Sequence, residues 1–158
     1  MFNNQQFRKN IIQASLEPID LYSPEDEDLL IATMAHESKG GFYLVQIKGP
    51  AIGVYQMEPN TYKLIWKRLY SENLSLTSKI LDFLGYDKSP DFTNMIFDLR
   101  LSTIMARLLY YFAQRKLTNK DDVDEIWLIY KTYYNSNKGE AQKDEFIADY
   151  MRFIGKEH

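Results

Sequence analysis

Hydrophobic residues recur at spacings of three and four through most of this chain, and this helical periodicity constrains its fold more than any other feature. The clearest case predicts a helix from about Phe92 to Arg115. Its apolar stripe consists of Phe97, Leu101, Ile104, Met105, Leu108 and Phe112. Such a stripe is typical of a helix that packs into a core, so the chain must supply further helices to cover it.

The strongest helix start lies at Ser23-Pro24-Glu25-Asp26, where a hydroxyl cap precedes a proline at the first helical position and carboxylates in the first turn. We expect this helix to run to about Lys39. It should end at Gly40-Gly41, because glycine readily adopts the left-handed conformation that commonly closes helices.

Other segments complete the predicted architecture. Further helices are predicted at about 7–16, from 60 onward, up to Gly85, and at about 121–134 and 140–153. Only Phe42–Gln46 has strand character, and Gly49-Pro50 and Gly53 punctuate the region as a loop or short hairpin. We therefore expect residues 1–158 to form a single α+β domain that is predominantly α-helical, with one small β region.

Composition excludes several classes of function. The chain has no cysteine, which removes thiolate catalysis, disulfide redox chemistry and cysteine-based zinc sites. Its 19 Lys and Arg against 22 Asp and Glu give a net charge of −3, so we expect no nucleic-acid partner. No apolar run is long enough for membrane insertion. Met1–Gln13 lacks a secretory apolar segment, so we expect no signal peptide and synthesis in a cytoplasm.

Glu37 is the first candidate for chemistry. It follows Leu30 and Met34 at helical spacing, which places a carboxyl on an apolar stripe. It also lies in the last turn, near the negative end of the helix dipole. Burial and the dipole both disfavour ionisation, so we expect a protonated carboxyl that can act as a general acid. The alternative is that Glu37 turns to solvent or pairs with Lys39 and has no chemical role.

A zinc-protease interpretation of His36-Glu37 fails. That motif needs a second histidine at position 40, which is Gly40, and the only other histidine of the chain is His158. We therefore expect no metal and no cofactor.

Three blocks together carry a resemblance to a known family. Glu37-Ser38 ends a helix, and Tyr134-Asn135 comes much later. Between them the second block is formed by Gly53, Gln56, Met57, Pro59 and Thr61. In this order the blocks resemble the lytic transglycosylase and goose-type lysozyme superfamily, over roughly Leu29 to Gly139. The Pro50–Pro59 segment and Ile65-Trp66 resemble the phage-encoded lysozyme-like variant. The chain departs from the family after Asn135, where the expected nearby glycine is delayed to Gly139.

The resemblance implies a lysozyme-like fold in which residues 42–56 form a small β wing over a cleft. It implies cleavage of the β-1,4 bond between N-acetylmuramic acid and N-acetylglucosamine in peptidoglycan, with Glu37 as general acid and then base. The favoured product is a 1,6-anhydromuramyl end, formed with help from the substrate's own acetamido group, and hydrolysis by water is the other outcome. Glu58, the only acid inside the second and third blocks, receives no role.

The same resemblance implies substrate-binding roles for six residues, each with a structural alternative. Gly53 lets the backbone approach a sugar or serves a turn. Tyr55 and Tyr134 contact sugar or pack in the core. The remaining three are Ser38, Gln56 and Asn135, where Ser38 alternatively bonds the local backbone and Asn135 alternatively caps its helix.

The implied partners are peptidoglycan glycan strands and phage virion proteins. The enzyme would be made in the host cytoplasm and would act at the cell wall, as a virion component or through a lesion in the membrane. The competing hypothesis is a non-catalytic lysozyme-like module with a structural or wall-binding role in a phage particle.

Overall fold

In the computed structural model, which describes residues 1–114, 117–119, 121–135 and 140–155, one helix is buried on every side. This helix, α3 (Pro24–Glu37), has no exposed residue from Glu27 to Ala35. Its two buried acids are neutralised by Arg8, whose Nη1 lies 2.8 Å from Glu27 and 2.6 Å from Asp28. Because the other elements pack around it, α3 fixes the position of whatever follows its last turn.

The predicted start of α3 is confirmed. The Ser23 hydroxyl accepts a hydrogen bond from the Asp26 amide, and Pro24 occupies the first turn. The helix ends at Glu37, two residues before the expected Lys39. Lys39, Gly40 and Gly41 then take positive φ values, so the glycine pair does close the helix as its sequence indicates.

The other helices surround α3 in chain order. The amino-terminal stretch is helical throughout, with α1 (Asn4–Phe7), a π-helical segment (Arg8–Gln13), α2 (Ala14–Leu16) and a 3₁₀ turn (Glu17–Ile19). Later elements are α4 (Pro59–Glu72), α5 (Leu74–Leu84), α6 (Leu99–Phe112), α7 (Val123–Ile129) and α8 (Lys143–Phe153). The α7 helix continues directly into a second π-helical segment, Tyr130–Tyr134. The prediction of a predominantly helical chain is confirmed.

The single long helix predicted from Phe92 to Arg115 is wrong at its start. A 3₁₀ turn (Phe92–Ile96) comes first, and α6 begins only after Asp98, whose carboxylate accepts from the Arg100 and Leu101 amides. Phe97, which the stripe placed in the core, is 71% exposed at this break. Asp98 starts a new helix because a capping side chain competes with continuation of the preceding turn. The expected end at Arg115 lies outside the described residues.

The predicted β wing is not seen. Residues 42–57 pair only through two isolated bridges, Val45 with Ile52 and Ile52 with Met57, and within the described residues these do not extend into a sheet. Gly49-Pro50 interrupts the first pairing, and proline has no amide hydrogen to extend it. The apolar side chains of this loop are also exposed, so no buried face sets a strand register.

None of the described helices combines the length and the apolar character that crossing a membrane requires.

Candidate active site

Glu37 lies at the carboxyl end of α3, where the buried helix reaches the surface. Its residue is partly buried, and it lines an open groove of about 300 Å³. The groove is also lined by Gln46 from the 42–57 loop, by Tyr130 and Asn135 at the end of the α7 segment, and by Glu140 and Glu145 around the start of α8. The site is therefore built from three parts of the chain that are distant in sequence.

Tyr130 holds the Glu37 carboxyl. Its hydroxyl donates a hydrogen bond to Glu37 Oε1 over 2.7 Å. The ring is fully buried and stacks on Phe146 at 4.5 Å between centroids, with an interplanar angle of 24°. Because the ring is fixed, the hydroxyl presents a donor at a defined point beside the carboxyl.

Tyr134 joins this centre to the second sequence block. Its hydroxyl donates to the backbone carbonyl of Tyr55 over 2.6 Å, and its ring stacks on Tyr130 at 6.0 Å and 19°. Tyr130 and Tyr134 are four residues apart in the π-helical segment, so both face the end of α3. The chain thus brings Glu37, Tyr134 and the 53–56 turn into one constellation.

The hydroxyls of both tyrosines stay protonated in ordinary conditions. Burial, with the nearby negative charge of Glu37, raises the pKa of Tyr130 and of Tyr134 well above the usual value for tyrosine. Each hydroxyl is consequently a permanent hydrogen-bond donor in the site, and neither is suited to act as a base.

Tyr55 contributes its backbone and not its ring. The ring is 0% exposed, and its hydroxyl lies 3.3 Å from Thr103 Oγ1, so the expectation that it stacks on a sugar is wrong. Aromatic burial of a tyrosine behind a turn satisfies both the ring and the hydroxyl. What Tyr55 offers to the site is the carbonyl that receives Tyr134.

Gly53 serves close packing inside the protein. Its φ is +80°, and a Cβ there would lie 2.6 Å from the Met95 carbonyl oxygen. The neighbouring Ser102 hydroxyl also donates to that carbonyl over 2.6 Å. The close approach made possible by Gly53 is therefore to the segment before α6, and the expected approach to a sugar is not what the glycine provides.

Gln56 and Ser38 are both buried and make local hydrogen bonds. The Gln56 amide donates to the Gly53 carbonyl over 2.9 Å, while its own backbone has a left-handed φ of 47°. The Ser38 hydroxyl donates to the Met34 carbonyl and accepts from the Gly41 amide. Ser38 thereby shapes the turn that follows Glu37, which is the structural alternative that its sequence left open.

Asn135 ends the π-helical segment and is buried at the groove. Its side-chain oxygen accepts from Lys131 Nζ over 3.0 Å and from the Ala141 amide over 3.4 Å. It thus ties the helix end to the segment before α8, across 136–139, where Gly139 lies outside the described residues.

An ionic cluster lies at the α8 side of the groove. His36 Nδ1 and Lys39 Nζ lie 2.8 Å and 2.6 Å from the same Asp149 oxygen, and Lys39 also lies 3.1 Å from Glu145. The ligand atoms of His36, Glu145 and Asp149 lie within 4.8 Å of one another. Among these residues the Lys39 ammonium already supplies the positive charge that a metal ion would bring.

The largest cavities lie elsewhere. Spaces of about 370 and 400 Å³ flank the Asp26–Arg107 ion pair, which measures 2.8 Å. Asp26 is eleven residues before Glu37 on α3, or about 16 Å along the helix axis at 1.5 Å per residue. The charged groups there are paired with each other, which is typical of a structural ion pair. The smaller groove carries the unusual chemistry.

Sequence reasoning missed Tyr130 as a site residue. It was assigned only to the inward face of its helix, which is true of its ring. The available signal was its spacing of four from Tyr134, which predicts that both residues lie on the same face.

Comparison of the chain with models of known protein families, with curated proteins and with solved structures finds no match.

Proposed function

We propose that this protein cleaves the glycan strands of peptidoglycan, with Glu37 as the catalytic acid and base and with a lysozyme-like arrangement of helices. The observation that carries the proposal is the position of Glu37, at the end of a fully buried helix, in an open groove, bonded to a buried tyrosine. A carboxyl in such a place is partly shielded from water and still reachable by a polymer.

The reaction begins with proton transfer from Glu37 to the oxygen between N-acetylmuramic acid and N-acetylglucosamine. The C1–O bond then breaks through an oxocarbenium-like transition state. The substrate's acetamido group stabilises C1, and the Glu37 carboxylate next removes the proton from the 6-hydroxyl as that oxygen attacks C1. The product is a 1,6-anhydromuramyl end, and Glu37 returns to its protonated form.

The charges of the groove support this route over one with two carboxylates. A retaining glycosidase needs a second carboxyl about 5–5.5 Å from the acid to act as nucleophile. Of the other acids that line the groove, Glu145 is bonded to Lys39 and Glu140 is exposed at its rim. Assistance from the substrate needs neither residue as a nucleophile.

The proposal includes action at a bacterial cell wall as part of a phage particle. The exposed loop supports an assembly role, because Phe42, Tyr43, Leu44, Val45 and Ile47 all present apolar side chains to solvent. The same loop favours the second candidate, a lysozyme-like module that holds other virion proteins and performs no chemistry. The two candidates differ in whether the isolated chain clears peptidoglycan.

A turbidity assay on purified peptidoglycan tests the proposal. The unmodified protein should clear the suspension, while Glu37→Gln, which keeps the shape and the hydrogen-bond acceptor but cannot donate an acidic proton, should lose at least about 100-fold in rate. Glu72→Gln, at an exposed position of α4 that is paired with Arg68, is the matched control and should remain active. Equal clearing by Glu37→Gln and the unmodified chain would reject the assigned acid, and no clearing by either would favour the structural module.

A further inference from the structure

The ring of Tyr130 is fixed from several directions. It stacks on Phe146 and Tyr134, and the His36 ring meets its edge at 5.7 Å and 79°. The hydroxyl at the end of this ring lies 2.7 Å from Glu37 Oε1. A donor carried by such a ring cannot follow the carboxyl if the carboxyl turns away, so the hydrogen bond favours one orientation of Glu37.

We propose that Tyr130 is the positioning residue of Glu37: its hydroxyl fixes the carboxyl in the groove and stabilises the carboxylate form between the two proton transfers. This inference rests on the proposed function and adds a residue that none of the three sequence blocks contains. Tyr134, which does belong to a block, has a different partner, the Tyr55 carbonyl.

The role follows from the proton balance of the reaction. Glu37 gives its proton to the glycosidic oxygen as the C1–O bond breaks, and it is a carboxylate until it takes the proton of the 6-hydroxyl. A hydrogen bond donated to a carboxylate is stronger than one donated to the neutral acid, so the Tyr130 contact is strongest in that interval. Tyr130 itself neither gains nor loses a proton, because burial and the charge of Glu37 keep its pKa far above the usual value.

The surrounding charges leave this task to Tyr130. His36 and Lys39, the cationic groups beside Glu37 on the chain, are both bonded to Asp149. The other groups near the groove are Tyr110, Glu140 and Glu145, which bring no positive charge. The Tyr110 hydroxyl is bonded to Thr33 and serves the core.

Two tyrosine-to-phenylalanine variants test the assignment. Tyr130→Phe keeps the stacked ring and removes only the hydroxyl that reaches Glu37. Tyr110→Phe is the matched control, because it removes a hydroxyl from a buried ring that stands beside Tyr134 and bonds to Thr33 at 2.7 Å. Cleavage of soluble peptidoglycan oligosaccharides is followed for each, with kcat and KM determined separately.

Tyr130→Phe should lower kcat about 10- to 100-fold, the range expected for one hydrogen bond to a charged group, with KM within about twofold of the unmodified value. Tyr110→Phe should change kcat by less than about threefold. A kcat for Tyr130→Phe within about threefold of the unmodified value overturns the inference and leaves the proposed function intact. An inactive unmodified chain overturns both.

A second measurement does not depend on activity. Thermal unfolding of Tyr130→Phe, Glu37→Ala and the double variant reports whether the two side chains interact, since only coupled residues give non-additive shifts in Tm. The double variant should lose less than the sum of the two single losses. Strictly additive losses would contradict a direct Tyr130–Glu37 bond and, with it, the positioning role.

Discussion

Gly53 and Gln56 both adopt left-handed backbone conformations in the turn whose Tyr55 carbonyl receives the Tyr134 hydroxyl. Such conformations are unfavourable for a residue with a side chain, so at Gln56 the fold tolerates local strain. The compensation is the hydrogen bond between the Gln56 amide and the Gly53 carbonyl, which closes the turn on itself. The Tyr55 carbonyl is thereby held where Tyr134 can reach it.

Gly53→Ala should destabilise the protein more than Gly85→Ala. The two glycines share nearly the same φ, +80° and +79°, so the backbone cost of a Cβ is alike at both. At Gly53 the Cβ would also collide with the Met95 carbonyl, whereas at Gly85 nothing lies within 4 Å. We expect a loss of about 1 kcal/mol for Gly85→Ala and about 2–4 kcal/mol for Gly53→Ala, measured by urea unfolding. Equal losses would contradict the close contact with Met95.

Part of the site could be predicted from single residues. The helical spacing of Leu30, Met34 and Glu37 correctly indicated a carboxyl at the boundary of the core. The burial of Tyr55 could not be predicted, because an aromatic residue in a glycine-rich turn fits either a ligand surface or the core, and packing against Thr103 decides between them. Tyr130 was overlooked because the sequence carries no sign that a ring in the core ends in a hydroxyl at the groove.

Among the elements, α6 depends most on one capping residue. Asp98 accepts hydrogen bonds from the Arg100 and Leu101 amides and from the Tyr86 hydroxyl. Burial alone would raise the pKa of this carboxyl, but the hydrogen bonds from the Arg100 side chain, Leu101 and Tyr86 outweigh it and lower the pKa below 3.8. The carboxylate is thus the form that starts the helix.

Asp98→Ala should cost about 1–2 kcal/mol of unfolding free energy near neutral pH, the usual loss for a helix cap. Because the pKa is lower in the folded protein than in the unfolded chain, the contribution is present above pH 3.8 and is lost as the pH falls below it. The difference between Asp98→Ala and the unmodified chain, measured by urea unfolding at several pH values, should therefore shrink in acid. Asp91→Ala, which removes an exposed cap before the 3₁₀ turn, should cost less; a difference for Asp98 that is constant with pH would contradict the ionic cap.

Helices were easier to predict than their boundaries or the loop. The periodicity and the Ser23-Pro24 start correctly gave α3, because a local cap and a closing glycine pair agree there with the burial pattern. The stripe that ran through Phe97 failed because Asp98 breaks it, and periodicity does not register a cap inside an apolar run. The loop at 42–57 has strand-like residues, yet its apolar side chains find no second layer to cover them.

At the scale of the whole molecule, the groove is held together by the contact between α3 and α8. Asp149 on α8 is buried and receives His36 and Lys39 from the end of α3, on either side of Glu37. This cluster fixes α8 against the residue that carries the proposed chemistry. It also makes the groove sensitive to the loss of a single buried charge.

Asp149→Asn should destabilise the protein by about 2–3 kcal/mol, below the usual cost of breaking a buried pair because the Lys39 side chain is partly exposed. Glu145→Gln removes the exposed partner of the same lysine and should cost less than about 1 kcal/mol. Thermal unfolding of the two variants gives the comparison. Similar losses in both would contradict the central position of Asp149 in the cluster.

The account's central claim is that Glu37 donates the proton that breaks the glycan. Mass spectrometry of the fragments released from purified peptidoglycan tests it most directly. The unmodified protein should release muropeptides with 1,6-anhydromuramyl ends, and Glu37→Gln should release none above background under the same conditions. Release of the same fragments by Glu37→Gln, or of none by the unmodified protein, would contradict the claim.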